Sequence, residues 1–340
     1  MRKSIKNAKD SIFKRSENIS GVKIEGYDFN QGVDFKKILE KYKSTAFQAS
    51  NLYKAIEIIK KMRKEKVKIF FGYTSNMVSS GLRDVIRYLV EHKLVDVLVT
   101  TAGGVEEDII KTMKPFVLGD FRADGAKLRE KGINRTGNIF VPNDRYIAFE
   151  NFFQPILKEL LEKQRKSGKI ISASEIIDLF GERVNEKSSI YYWAHKNKIP
   201  VFCPALMDGA IGDNVYFFNF DKNQEKRDDT GFASVKSLLV DMAQDHHKLI
   251  ELVMGAEETG IIVLGSGVVK HTICNANMFR EGAKYAVYVN TSSEYDGSDS
   301  GAEPEEAKSW GKIAAEADTV KVVGDATILF PLIVSGAFVD

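Results

Sequence analysis

The chain has 340 residues, of which 44% are hydrophobic and 28% charged, and its formal net charge is +2. This composition is typical of a globular protein, and the balanced charge argues against binding nucleic acid or membranes through bulk electrostatics. Two cysteines, Cys203 and Cys274, are too few for a disulfide framework or a four-cysteine zinc site. We therefore expect a cytoplasmic protein without a metal site, since none of the five histidines has a metal-binding spacing.

Residues 1–20 are basic, and Ile5, Ile12 and Phe13 make them only loosely amphipathic. We interpret residues 1–25 as an N-terminal basic extension with a tail or a detached helix, and residues 26–340 as a single large domain. No apolar run approaches the roughly 18 residues that span a bilayer. The N-terminus also lacks the apolar core of a signal peptide.

Helical apolar spacing covers residues 34–63, and short apolar segments then alternate with helical ones. The predicted strands are 67–71, 95–100, 199–203, 260–265, 286–290 and 319–325. Strands that are apolar enough to be buried on both faces, and that alternate with helices, indicate a parallel sheet covered by helices. The predicted fold is therefore α/β, a Rossmann-like parallel sheet flanked by helices. Residues 221–258 are polar with a helical pattern, and we expect them at the periphery.

Four of the predicted strand ends carry residues that suit phosphate or ribose, and ligands of open parallel sheets bind at such ends. They are Thr74-Ser75-Asn76, the TTAGG turn at 100–104, Gly265-Ser266-Gly267 and Asp325. Each could be only a turn or a helix cap. Four on one sheet nevertheless favour a nucleotide cofactor.

Three polar residues close to these strand ends have both a structural and a chemical reading. His271 follows the glycine turn and could cap a helix or act as a general base. Asp208 and Asp213 follow another strand and could serve in turns and caps, or add two acids to the same edge.

Residues 296–312, DGSDSGAEPEEAKSWGK, combine five carboxylates, one indole and two lysines. Segments of this kind are usually solvated loops leading into a helix, whose first turn here would be 304–306. Alternatively, carboxylates beside an aromatic face suit an organic polycation. A lysine next to such a site, Lys312, could then act as an amine nucleophile.

These same segments closely resemble deoxyhypusine synthase: GYTSNMVSSGLRDVIRYLVEHKLVDVLVTTAGGVEED at 72–108, PALMDGAIGD at 204–213, GSGVVKHTICNANM at 265–278 and YVNTSSEYDGSDSGAEPEEAKSWGKI at 288–313. The resemblance implies an NAD-dependent transferase that oxidises spermidine and carries its aminobutyl group as an imine on an enzyme lysine. The group then passes to one lysine of the translation initiation factor 5A precursor, in the first step of hypusine biosynthesis. It further implies a homotetramer with active sites between subunits, whose N-terminal helix, here residues 3–18, could plug a neighbouring site.

The resemblance also implies a role for each site residue. Lys312 matches the imine-forming lysine, and His271 matches the histidine that acts as base near the amine. The residues expected to bind the substrate are Asp213, Asn275, Gly297, Ser298, Asp299, Glu306 and Trp310. The residues expected to bind NAD are Ser75, Asn76, Ser79, Thr100, Thr101, Ala102, Gly103, Glu107, Asp208, Gly265, Gly267, Thr291, Ser292, Asp296, Ser300, Asp325 and Ala326.

The sequence departs from the family pattern at three places. Ser266 replaces the middle glycine of the usual turn, which could crowd the cofactor. Met207 stands where threonine is common, and the segment 213–265 is longer than the family pattern predicts.

Other functions remain open from the sequence alone. A homospermidine synthase would use putrescine as the acceptor with nearly the same residues. A regulatory paralogue subunit would be expected to have lost a catalytic residue, whereas Lys312 and His271 are both present. A sirtuin-like deacylase would need four zinc cysteines.

Overall fold

The computed structural model describes residues 5–219 and 237–339. Its strands are, in chain order, β1 Lys68–Tyr73, β2 Val97–Thr100, β3 Val117–Leu118, β4 Ile133–Thr136, β5 Ile139–Pro142, β6 Ile171–Ser172, β7 Val201–Phe202, β8 Val240–Asp241, β9 Thr259–Leu264, β10 Ala283–Asn290 and β11 Ile313–Val323. Its helices are α1 Ile5–Ile12, α2 Phe35–Thr45, α3 Phe47–Glu65, α4 Ser75–Ser79, α5 Leu82–Glu91, α6 Ala102–Met113, α7 Gly125–Glu130, α8 Asp144–Ser167, α9 Ala173–Val184, α10 Ile190–Asn197, α11 Ala210–Asn219, α12 Met242–Met254, α13 Val268–Asn277, α14 Pro304–Ser309 and α15 Ala326–Ala337.

The main sheet of the described chain has six strands in the order β11-β10-β9-β1-β2-β7, and every neighbouring pair is parallel. The chain begins this sheet at β1, adds β2 and β7 on one side, and then returns to add β9, β10 and β11 on the other. The order therefore reverses between β1 and β9, the position at which open α/β sheets bind ligands. All six predicted strands lie in this sheet, and the predicted Rossmann-like fold class is confirmed.

Both faces of the main sheet are covered, as the apolar strands predicted. Neighbouring residues of a strand point to opposite faces. On one face, Phe71 stacks on Phe330 of α15, with 5.6 Å between the ring centroids. On the other face, Phe70 belongs to a second buried cluster with Val269 and Ile273 of α13. The sheet is thus the middle layer of three.

Other parts of the chain lie outside this three-layer arrangement. Strands β3, β5 and β4 form a small antiparallel sheet that was not predicted, because its strands are short and largely exposed. Residues 220–236 are outside the described part, so the prediction for 221–258 can be followed only through α12, whose Leu249 and Val253 face the core. In helix α1, Ile5 and residues 7–12 are exposed. None of the described helices is both long and apolar enough to cross a bilayer.

A buried carboxylate, Asp108, joins three helices behind the sheet. The Arg83 guanidinium of α5 donates to Asp108 Oδ1 at 2.7 Å. On the other side, the Ser189 hydroxyl and the Ile190 N–H at the start of α10 donate to Oδ2 at 2.6 and 3.0 Å. Asp108 is fully buried on α6, so these donors replace its hydration.

Replacing Asp108 with alanine should lower the free energy of unfolding by about 3–5 kcal/mol, because the Arg83 guanidinium would remain buried without its counter-ion. Urea denaturation followed by circular dichroism measures this change. The matched control is Asp318→Ala, which removes an exposed ion pair with Lys61 and should leave the unfolding free energy nearly unchanged. Equal losses in the two variants would contradict the role assigned to Asp108.

Candidate active site

The loops after β1 and β9 meet where the strand order reverses. The Thr74 N–H donates to the Leu264 carbonyl at 3.3 Å, and the Gly265 N–H donates to the Val289 carbonyl at 2.9 Å. A Cβ on Gly265 would lie only 2.4 Å from Thr74 Oγ1, and its φ is 81°. Glycine is therefore required here for both space and backbone conformation.

The next two residues of this turn differ in what they require. Gly267 has a φ of 67°, and a Cβ there would meet nothing within 4 Å. Its backbone therefore faces open space at the start of α13, where a ligand could approach. Ser266 is not among the residues with a left-handed φ, so a side chain at this departure from the family pattern causes no backbone strain.

Helices α6, α13 and α15 all begin at this carboxyl edge. Their N-cap residues are Thr101, Gly267 and Asp325, followed in the first and last case by Ala102 and Ala326. The N–H groups of a first helical turn lack partners within the helix and carry partial positive charge. The edge thus offers several helix ends suited to a phosphate.

The predicted cofactor residues of α4 and α6 contact each other. The Ser75 N–H donates to Thr101 Oγ1 at 3.0 Å, and the Ser79 hydroxyl donates to the Glu107 carboxylate. A Cβ on Gly103 would lie 2.8 Å from the Cβ of Ser75. The backbones of the two loops are therefore closely packed at this edge.

Three predicted cofactor residues use their side chains within the fold. The buried Thr100 hydroxyl donates to the β1 backbone at 2.8 Å. Asn76 Oδ1 accepts from the Thr74 hydroxyl at 2.5 Å. Asp325 accepts from the first-turn N–H of α15 at 2.9 Å. Of these three, the structure gives Thr100 a purely internal hydrogen bond, whereas Asn76 and Asp325 stay at the exposed edge.

Two adjacent acids of α6, Glu106 and Glu107, are buried, which disfavours their ionised forms. Burial and the charge of Glu106 together raise the pKa of Glu107 to about 7, against the lowering effect of the hydrogen bond from Ser79. Burial likewise raises the pKa of Glu106, which also feels Asp208 and Asp213. Glu106 accepts the Ile211 N–H at 2.9 Å, so the loop after β7 is tied to the same helix.

The loop after β10 forms a cavity of about 490 Å³ lined by predicted site residues, among them Ser292, Asp296, Ser298 and Ser300. The Ser298 N–H and hydroxyl donate to Asp296 Oδ1 at 2.9 and 2.7 Å, and these bonds lower the pKa of Asp296. Gly297, with a φ of 70°, makes the turn between them. The exposed Thr291 begins this loop directly after β10.

The first turn of α13 brings His271 to residues 291–303, the acidic loop between β10 and α14. His271 Nδ1 lies 3.6 Å from Asp299 Oδ1, and Asn275 Nδ2 lies 2.7 Å from His271 Nε2. Because an amide nitrogen can only donate, Nε2 is the acceptor and the proton of the neutral ring lies on Nδ1, towards Asp299. The other oxygen of Asp299, Oδ2, is buried without a hydrogen-bond partner among the described residues.

Lys312 is buried, with an exposed fraction of 9%. Its Nζ lies 5.5 Å from the centroid of the Trp310 ring. Within residues 5–219 and 237–339, no carboxylate lies at ion-pair distance from this nitrogen. The buried Cys274 thiol, whose pKa burial raises to about 11, feels the charges of both Asp299 and Lys312, so both lie near the same face of α13.

The predicted substrate residues fall into two groups. Asn275, Gly297, Ser298, Asp299, Glu306 and Trp310 lie on α13, α14 and the loop before α14. Asp213 lies on α11 after β7, at the far end of the sheet from β11. Five strand spacings of roughly 4.8 Å separate these ends, about 24 Å in all, so a single chain does not bring Asp213 to Lys312.

The backbone of Lys312 is also remote from the cofactor loops that follow β1 and β2 in its own chain. Its carbonyl accepts the N–H of Ala283, the first residue of β10, so its backbone lies at the amino edge of the sheet. The cofactor loops lie at the carboxyl edge, roughly 20 Å away along β10 at about 3.3 Å per residue.

Three buried charged residues near the predicted site were not predicted from the sequence: Glu106, Lys270 and Lys321. For Glu106, the run of three acids at 106–108 in an otherwise apolar helix was the available signal.

A larger cavity of about 1080 Å³ lies beside β7 between α9, α10 and α12, and no predicted site residue lines it. This larger cavity therefore does not coincide with the predicted site residues.

The comparisons with known proteins agree on one family. The model of the family described as deoxyhypusine synthase matches residues 37–337. The chain is 46% identical to deoxyhypusine synthase from Nicotiana tabacum, over 98% of this chain and 94% of the relative. It is 52% identical to a protein from Methanocaldococcus jannaschii named "probable deoxyhypusine synthase", over 95% of this chain and 98% of the relative.

A solved structure from Entamoeba histolytica that bears the same family name superposes with a TM-score of 0.64 at 31% identity, covering 93% of this chain and 96% of that one. Sequence and fold thus point the same way over nearly the whole length. The chain belongs to the deoxyhypusine synthase family of transferases.

Proposed function

We propose that this enzyme transfers the 4-aminobutyl group of spermidine, through an imine on Lys312, to a lysine of the translation initiation factor 5A precursor. The observation that carries the proposal is the setting of Lys312 in a chain of this family. The residue is only 9% exposed and its amine lies 5.5 Å from the centroid of the Trp310 ring, with no carboxylate of the described chain at ion-pair distance. A nucleophilic amine must be unprotonated, and an ion-paired ammonium could not attack.

NAD is the proposed cofactor, and the residues at the carboxyl edge fit a dinucleotide. The open backbone at Gly267 and the first turns of α6 and α13 suit its phosphates. The Glu107 carboxylate, close to Ser79, suits a ribose hydroxyl. When bound, NAD would take a hydride from the polyamine and return it at the end of the reaction.

The polyamine would lie along the acidic side of the cleft. Asp299 Oδ2 is buried and has no donor within the described chain, so an ammonium group of spermidine would satisfy it by a charge-assisted hydrogen bond. Glu306 lies on α14, and the exposed Trp310, which caps that helix, has its ring centroid 5.5 Å from Lys312 Nζ. The ring face would cover the methylene chain and interact with nearby cationic groups.

His271 would act as the proton acceptor. The secondary amine of spermidine must lose a proton as it is oxidised. In this tautomer Nε2 is the basic atom of the ring, and its lone pair accepts the hydrogen bond from Asn275. Once Nε2 is protonated, Asp299 beside Nδ1 would stabilise the imidazolium.

A second copy of the chain would complete the site. Within one chain, Asp213 and the cofactor loops after β1 and β2 lie far from Lys312, so we infer that the halves meet between subunits of a homotetramer. The exposed helix α1 of the 1–25 extension, with Ile5 and Ile12 uncovered, would then cover a neighbouring site. The cytoplasmic location and the absence of membrane or nucleic-acid partners remain predictions.

The decisive experiment combines the enzyme with NAD, labelled spermidine and borohydride. We expect the label on the peptide that contains Lys312. Lys312→Ala and Lys312→Arg should both lose it while still binding NAD, because neither side chain can supply a neutral amine. The matched control is Lys308→Ala, on the preceding turn of α14, whose amine pairs with Glu305 instead.

The acceptor is tested in the same system without borohydride. Labelled deoxyhypusine on the factor 5A precursor supports the proposal, whereas transfer to putrescine alone would establish a homospermidine synthase. Label on a lysine other than Lys312 would overturn the assigned nucleophile. Activity only after addition of a second, different subunit would indicate a regulatory paralogue.

Replacing His271 with alanine should slow release of 1,3-diaminopropane from spermidine by roughly 10²–10⁴-fold, the usual loss when a general base is removed. Release is measured by chromatography in the absence of any acceptor. The matched control is His247→Ala, on α12 beside the larger cavity. Unchanged release by the His271 variant would remove the residue from the proposed mechanism.

Glu107 should make stability depend on pH between about 4.5 and 7. Its folded-state pKa of about 7 exceeds its ordinary value of 4.5, so the folded protein binds the proton more tightly than the unfolded chain. Stability should therefore fall as pH rises through this window, by at most about 1.4 kcal/mol per pH unit for one proton. Glu107→Gln should flatten this slope in urea titrations, whereas Glu159→Gln, at a half-exposed ion pair with Lys163 on α8, should keep it.

A further inference from the structure

Two lysines are buried where lysine is rarely found. Lys270 on α13 is 2% exposed and Lys321 on β11 is 5% exposed. Burying an ammonium group is costly unless its hydrogen bonds are satisfied. Neither residue belongs to the site predicted from the sequence, so what their amines contact indicates why they are there.

Both amines donate to the backbone of the acidic loop. Lys270 Nζ donates to the carbonyls of Asp299 and Ala302 at 2.6 and 2.8 Å, and it lies 4.8 Å from the centroid of the Tyr288 ring. Lys321 Nζ donates to the Gly301 carbonyl at 2.6 Å. The two buried ammonium groups therefore donate to three of the four main-chain carbonyls of residues 299–302.

The lysines also balance the charge of this loop. Lys321 Nζ lies 3.2 Å from Glu303 Oε1. Burial lowers the pKa of Lys270, and the charges of Asp299 and Glu306 oppose this effect. Carboxylates that are gathered in one loop to bind a cation repel each other. The two buried ammonium groups offset this repulsion.

Two consecutive residues of α13 contact Asp299. Lys270 binds its main-chain carbonyl, while His271 lies 3.6 Å from its side chain. The position of the Asp299 carboxylate is thereby fixed relative to the imidazole. A shift of the loop by 1 Å would move the acid away from the base, and displacements of this size can cost roughly 10²-fold in rate.

We propose that Lys270 and Lys321 are positioning residues for polyamine binding, which hold the 299–303 backbone so that Asp299 meets its ammonium partner. They do not touch the polyamine and act only through the loop. The identity of the ligand rests on the proposed function, whereas the hold on the loop does not depend on it.

The test uses Lys321→Met and Lys270→Met in the full-length protein, because methionine fills similar space without a donor or a charge. Lys284→Met on β10, an exposed lysine paired with Glu65, is the matched control. Hydrogen exchange followed by mass spectrometry should show faster exchange in peptides covering 296–303 for the two buried lysines only. The kcat/KM for spermidine should fall by roughly 10²-fold, with the affinity for NAD nearly unchanged.

A double-mutant cycle separates positioning from general stability. If Lys321 acts through Asp299, then Lys321→Met combined with Asp299→Asn should weaken spermidine binding no more than Asp299→Asn alone. Additive losses, or loop exchange like that of the control, would overturn the proposal. A wild-type protein that binds no spermidine would refute the proposed function instead, and loop exchange in the free protein would still decide whether the lysines hold the loop.

Discussion

Parallel pairing obliges every strand of the main sheet to end at the same edge, and the site depends on this constraint. The loops after β1, β2, β7, β9 and β10, together with the start of α15, come from distant parts of the chain. They meet only because all six strands run in one direction. The close approach of Gly265 to Thr74 at the reversal of strand order leaves backbone, rather than side chains, at the centre of this edge.

Buried charged side chains of this fold differ in whether the chain itself supplies their hydrogen-bond partners. Asp108, Lys270 and Lys321 are buried with their hydrogen bonds satisfied inside the fold. Asp299 Oδ2 is buried without a hydrogen-bond partner among the described residues, and Lys312 has no carboxylate of the described chain at ion-pair distance. A buried acceptor without a partner, such as Asp299 Oδ2, can accept a hydrogen bond from a ligand, as the proposed site requires. This contrast supports the proposed site more strongly than the size of any cavity.

The sequence predicted the architecture because apolar strands buried on both faces have a simple signature. The strands around Phe70 and Val263 could be located to within a few residues. The small sheet of β3, β4 and β5 could not, since short, half-exposed strands leave no apolar run. Roles for Lys312 and His271 came from long motifs of a known family, and composition alone would have left them open.

Spatial relations and buried amines were beyond the sequence. A motif names Asp213 and Lys312 together but does not say that they lie at opposite ends of the sheet. Lys270 and Lys321 were overlooked because lysine is ordinarily exposed, and the carbonyls that accept from them become visible only once the loop has folded over α13. Such contacts depend on tertiary packing, which local patterns do not encode.

If the proposed site forms between two copies of the chain, the separation of Asp213 from Lys312 within one copy has an evolutionary consequence. When a reaction centre is assembled from opposite ends of two molecules, a duplicated gene can lose the residues of one end and remain useful, provided that its product still lends the other. Selection would then act separately on the two ends. Specialised mixed complexes could thus arise from this fold by simple decay of one copy.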